Sequence, residues 1–144
     1  MNFCEAENEI SNVVNYRKYK VIVEENVELY NISAIYCDYV YPAEFVKIVA
    51  LNLVDFDMWY IMSNEQVDYR KKGLRVRYPT RKLIPFARRD DCDDIACFEV
   101  GKENSVQIIH DFAGEGWEQR KEYKCFWGWF RDAMDEMIKK FNDK

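Results

Sequence analysis

Residues Ile95 to Phe112 read IACFEV-GKEN-SVQIIHDF, two short apolar runs parted by a polar, glycine-led turn. Runs of this length, separated by a few turn residues, predict an antiparallel hairpin. Its first strand ends at Gly101, its turn covers Gly101 to Asn104, and its partner strand covers Ser105 to Phe112. On the C-terminal side Gly114 and Gly116 break the chain. Phe126, Phe130, Ala133, Met134, Met137, Ile138 and Phe141 then come at the spacing of one continuous helical stripe.

On the N-terminal side, Pro42 stands where a helix starts, and Phe45, Val46, Val49, Ala50 and Leu53 give it an amphipathic face running to about Asp55. Asp57 to Met62 is an apolar, aromatic run of strand length. It stops at Ser63, which with Gln66 forms a capping-box pattern and predicts a helix from Asn64. Gly73 and Pro79 punctuate the next stretch, so a short helix is expected to run into irregular chain before Lys82, Leu83, Ile84 and Pro85. Asp90 to Asp94 reads as an acidic turn. Further upstream, residues 1–12 read as a loose terminus or short helix and Tyr19 to Glu24 as a strand, while Leu29 to Tyr41 fits either strands or a helix. Strands in the middle with helices before and after predict one α+β domain over residues 1–144. Its mainly antiparallel sheet would be covered by helices on one side, with a long C-terminal helix.

The length of 144 residues suits one domain, and 49% hydrophobic residues supply a core, which excludes disorder as the main reading. No apolar run approaches the roughly 18 residues that cross a bilayer, so a soluble protein without membrane contact is expected. The opening Met-Asn-Phe-Cys-Glu-Ala-Glu has neither a basic nor an apolar signal region, which predicts a cytoplasmic protein.

The net charge of -5 conceals a segregated chain. Arg70, Lys71, Lys72, Arg75, Arg77, Arg81, Lys82, Arg88 and Arg89 fall in a window that holds no Asp or Glu, giving +9 there and -14 elsewhere. Either the basic stretch lies across acidic groups within one fold, or it forms a binding face. Nucleic acid is the disfavoured partner, because nucleic-acid-binding domains are usually strongly basic and this chain has a pI of about 5.0. The larger acidic remainder suits a basic protein partner.

Sites for chemistry are sparse. Cys4, Cys37, Cys92, Cys97 and Cys125 contain no CxxC pair and read as reduced thiols; Cys92 and Cys97 are spaced as one zinc-ligand pair, but His110 and Cys125 are isolated, which disfavours a zinc site. His110, the one histidine, lies in a predicted strand and reads as a satisfied or surface residue rather than a general base. The aspartate turn lacks the glycine and the closing glutamate of a calcium loop, and no glycine-rich phosphate loop occurs. The expectation is therefore a non-enzymatic protein without cofactor or metal. Trp127 and Trp129 flank Gly128 in the last helix and fit either the core or an interaction patch.

Ile84-Pro85-Phe86, the turn Asp91-Cys92-Asp93, the strand Ile95 to Phe98, and a closing helix with Phe126 and Trp129 resemble the SUKH superfamily. Tyr41-Pro42-Ala43-Glu44-Phe45 is similar to that family's proline-started helix, so the resemblance spans residues 40–141. The family includes fungal regulators of cell-wall synthesis and bacterial immunity proteins that bind and neutralise toxins, often nucleases. Cys92 stands where the family has glycine, and the first forty residues lack its N-terminal helix. The resemblance implies a non-catalytic immunity protein facing a basic toxin domain, with Asp90, Asp91, Asp93, Asp94, Glu115, Trp117 and Glu118 as contact candidates. Two alternatives stay open: a regulatory scaffold or peptide-binding module using the Trp127 and Trp129 surface or the basic window, and a small nucleic-acid-binding protein using Arg70 to Arg89.

Overall fold

A computed structural model describes residues 29, 36 and 39–143. The expectations for residues 1–12, for Tyr19 to Glu24 and for most of Leu29 to Tyr41 lie outside these described residues. In chain order the elements are α1 (Ala43–Ala50), β1 (Trp59–Ile61), α2 (Asn64–Arg77), β2 (Leu83–Arg89), β3 (Asp94–Glu99), β4 (Val106–His110), β5 (Gln119–Tyr123) and α3 (Phe126–Asn142). The strands form one sheet in the order β1-β2-β3-β4-β5, every neighbouring pair antiparallel. This is an α+β fold, and the predicted hairpin is its β3–β4 centre.

The run Ile95-Ala96-Cys97-Phe98 is apolar at every position because both of its faces are covered. Ala96 and Phe98 join Phe45, Phe86, Phe126 and Trp129 under α1 and α3. Ile95 and Cys97 join Val67, Leu74 and Tyr78 of the α2 layer. The sheet is thus sandwiched, correcting the expectation of cover on one side; a continuous apolar strand, lacking alternation, is the pattern of two-sided burial. The α1/α3 side is aromatic: Phe86 stacks on Phe98 with centroids 4.3 Å apart, and Trp129 meets Phe86 edge-on at 4.9 Å. Trp129 is buried, and Trp127 packs on Phe126 and Phe130. The tryptophan pair therefore belongs largely to the core.

Local chemistry sets the element ends. α1 stops at Ala50, short of the expected Asp55, in a Schellman arrangement: Leu53 N–H donates to Ile48 O, Asn52 N–H to Val49 O, and Asn52 takes the left-handed conformation at φ 58°. α2 begins where predicted. Ser63 and Gln66 cap each other reciprocally, Gln66 N–H donating to the Ser63 hydroxyl and Ser63 N–H to the Gln66 side chain. The helix then runs through Gly73 to Arg77, so Gly73 does not break it. Pro85 lies beside the bulge between Pro85 and Ala87, a position where a strand accommodates the missing donor.

Two expectations are corrected at the single-residue level, and one strand is added. β4 ends at His110, and Phe112, expected in the strand, turns out of it at φ 70°. β5, the sequence Gln-Arg-Lys-Glu-Tyr, is an additional strand that the sequence pattern does not predict. Among the cysteines, Cys97 is a buried free thiol and Cys92 an exposed one, but Cys125 is disulfide-bonded, against the reading of five reduced thiols. No helix among the described residues is long and apolar enough to cross a membrane.

Candidate protein-interaction site

An antiparallel meander returns alternate connections to the same end of the sheet. The β2–β3 turn and the β4–β5 loop therefore meet, joined by Asp111 N–H donating to Asp93 O at 3.2 Å and by the pairing of Asp94 with His110. Asp90, Asp91, Asp93, Asp94, Glu115, Trp117 and Glu118 are thereby brought to one sheet end. Trp117 is 82% exposed and Phe112, which sequence reasoning did not single out, is 58% exposed. The aspartate turn needs no glycine: within it no residue has a positive φ, so Cys92 fits without strain.

The carboxylates at this end divide into paired and unpaired groups. Arg89 grips Asp91 with Nε and Nη2 at 2.7 and 3.0 Å and also reaches Glu136. That grip holds the Asp91 carboxyl below its ordinary range. Asp94 accepts Arg120 Nε at 2.9 Å and lies 3.1 Å from His110 Nδ1. Glu118 turns inward to Arg81, which holds Glu99 in its other fork. Burial pushes the Glu99 and Glu118 carboxyls up, but Arg81 outweighs it and both stay below the ordinary range. Asp90 is only loosely paired, 3.8 Å from Arg88. Asp93 and Glu115 are exposed and make no ion pair among the described residues.

These partners also account for the basic window. Arg70 and Arg77 converge on Asp111, Lys71 and Lys72 on Asp68, Arg81 on Glu99 and Glu118, and Arg88 and Arg89 on Asp90 and Asp91. Among the described residues only Arg75 and Lys82 of the window lack an ion pair. The segregated charge of the sequence is therefore balanced largely within the fold, leaving few arginine forks to grip a phosphate backbone.

A cleft of about 440 Å³ lies between α3 and the sheet, and its walls are likewise self-paired: Arg89 with Glu136, Arg120 with Asp94, and Lys121 with Asp132 at 3.5 Å. His110 and Asp94 form a carboxylate–imidazole pair, but no hydroxyl or thiol among the described residues hydrogen-bonds the ring. No group of three potential metal ligands occurs among the described residues. This end presents exposed aromatic surface beside unpaired carboxylates, side chains of the kinds that occur in protein interfaces. No family model, curated protein or solved structure matches the chain.

Proposed function

We propose that the chain is a non-enzymatic immunity protein that binds and neutralises a basic toxin domain, a nuclease in the first instance, through the sheet end formed by the β2–β3 turn and β4–β5 loop. The observation that carries this reading is Trp117, 82% exposed and flanked on its own loop by the unpaired Glu115, with Asp93 on the adjoining turn. Tryptophan is among the residues that dominate binding energy at interfaces, so an exposed one on the same loop as the exposed Phe112 suits a partner-binding role. Unpaired carboxylates around it steer a cationic surface toward the aromatic anchor. A nuclease is basic where it holds phosphate, so a negative surface competes for the same groove. The SUKH-like motifs supply the biological setting.

That resemblance implies action in the cytoplasm. The disulfide at Cys125 points instead to an oxidising compartment.

The test is co-expression with the toxin-like product of the adjacent reading frame. Relief of growth arrest together with a complex on gel filtration supports the proposal. Arrest that persists, with the two proteins eluting separately, refutes it.

A further inference from the structure

The β4–β5 loop is anchored at both ends by a buried carboxylate. At its start Asp111, fully buried, accepts Phe112 N–H at 2.9 Å, Arg70 Nη1 at 2.6 Å and Arg77 Nε at 2.8 Å. At its end Glu118, 7% exposed, accepts Gly116 N–H at 2.7 Å and Arg81 Nη1 at 2.9 Å. Between the anchors the Tyr78 hydroxyl donates to Ala113 O at 2.8 Å, and Trp117 N–H donates to Gly114 O at 2.9 Å. All three arginines come from the basic window.

Phe112 sits at φ 70°, where a bulky residue is a genuine outlier. Such strain persists only where the surroundings over-determine it, and it gathers at binding sites. Here the determinant is Asp111, whose carboxylate fixes the Phe112 N–H while its two arginines lie over the ring, Arg77 at 4.2 Å and Arg70 at 5.7 Å from the centroid. The two guanidiniums cover part of the ring, yet more than half of Phe112 stays in water.

We propose that Asp111 and Glu118, with Arg70, Arg77 and Arg81, are positioning residues that hold the loop in one conformation, so that Phe112 and Trp117 stand ready as apolar anchors for a basic protein surface carrying a pocket. Charge at Trp117 selects the occupant: Asp93 and Glu115 are the unpaired carboxylates of the two adjoining loops, whereas Phe112 lies against Arg70 and Arg77, which share the Asp111 carboxylate. Holding the loop in advance removes the ordering cost from the binding step. The inference rests on the partner-binding reading above and assigns the basic window a role in it, as scaffold for the loop.

Hydrogen exchange measured by mass spectrometry on the full chain tests the clamp. Peptides covering 111–118 are expected to be protected in the wild type. In Arg77→Lys or Arg81→Lys, each keeping charge but losing the fork, they should exchange at least about tenfold faster, while β3 and β4 peptides do not change. Wild-type loop amides exchanging like unstructured chain, or variants leaving the rates unaltered, overturn it. Phe112→Gly separates function from structure, because glycine accepts this φ. Its melting temperature should hold or rise while affinity for the purified toxin domain of the adjacent frame falls at least about tenfold. A fall in melting temperature with affinity unchanged overturns the anchor role. A wild-type chain that binds no toxin removes the immunity reading and the docking role with it, whereas the exchange rates separately decide the clamp.

Discussion

Arg77 reaches Asp111 along a path that Gly73 leaves open. A Cβ at position 73 would fall 2.6 Å from Arg77 Nη2, the guanidinium that the buried carboxylate holds. Helix propensity alone favours alanine over glycine in a helix interior by about 1 kcal/mol. Gly73→Ala should therefore fail to stabilise the wild type, yet stabilise an Arg77→Ala background by about 1 kcal/mol, as read by urea unfolding in a double-mutant cycle. Equal stabilisation in both backgrounds contradicts the account. In the sequence Gly73 reads as a breaker, because its reason for being glycine is a contact with a side chain one turn later that is itself fixed from another element. Asp111 and Phe112 are hidden in the same way. Asp111 stands out in the sequence only as the neighbour of His110, and the apolar Phe112 looks like the end of a strand. Nothing local distinguishes a buried, doubly bridged aspartate from a solvated one.

Elements are more legible where the chain carries its own signals. Ser63 and Gln66 announce the start of α2 and do cap it reciprocally. Ser63→Ala should cost about 1 kcal/mol, measured by chemical denaturation, with no change in the loop peptides at the far sheet end. A loss below about 0.3 kcal/mol means the box contributes little beyond water. The apolar stripe from Phe126 locates α3, and the two apolar runs of residues 95–112 locate the central hairpin. β5 is invisible in the sequence because Gln119 to Glu122 are all exposed and polar, so neither apolar alternation nor a hydrophobic run marks the strand. Its charged residues are the usual means by which an edge strand discourages further pairing. The pattern overstates the extent of α1 because Leu53 continues the stripe, although Asn52 has already turned the chain through a left-handed residue.

At the scale of the molecule, the segregation of charge is visible in the sequence but its resolution is not, since pairing requires the fold to bring the window against Asp91, Glu99, Asp111 and Glu118. That arrangement has a pH signature. The carboxyls of Asp91, Glu99 and Glu118 are held below their unfolded values by Arg89 and Arg81. A carboxylate with a lowered folded pKa contributes stability that is fully present above its unfolded pKa and is lost as the pH falls through the folded one. The urea midpoint should thus be level above about pH 5 and fall below about pH 4, and the fall should be shallower in Arg81→Gln. A midpoint unchanged to about pH 3 contradicts the internal balancing of charge. The same balancing leaves Phe112, Trp117 and the unpaired Asp93 and Glu115 exposed at the sheet end, the surface through which the proposed partner would bind. The most direct test is titration calorimetry of the purified chain against the toxin domain of the adjacent reading frame, with Trp117→Ala alongside. The account predicts a stoichiometric complex that the substitution weakens by about thirtyfold or more, the effect of removing a central aromatic anchor. Equal affinity of wild type and Trp117→Ala, or no heat of binding from either, contradicts it.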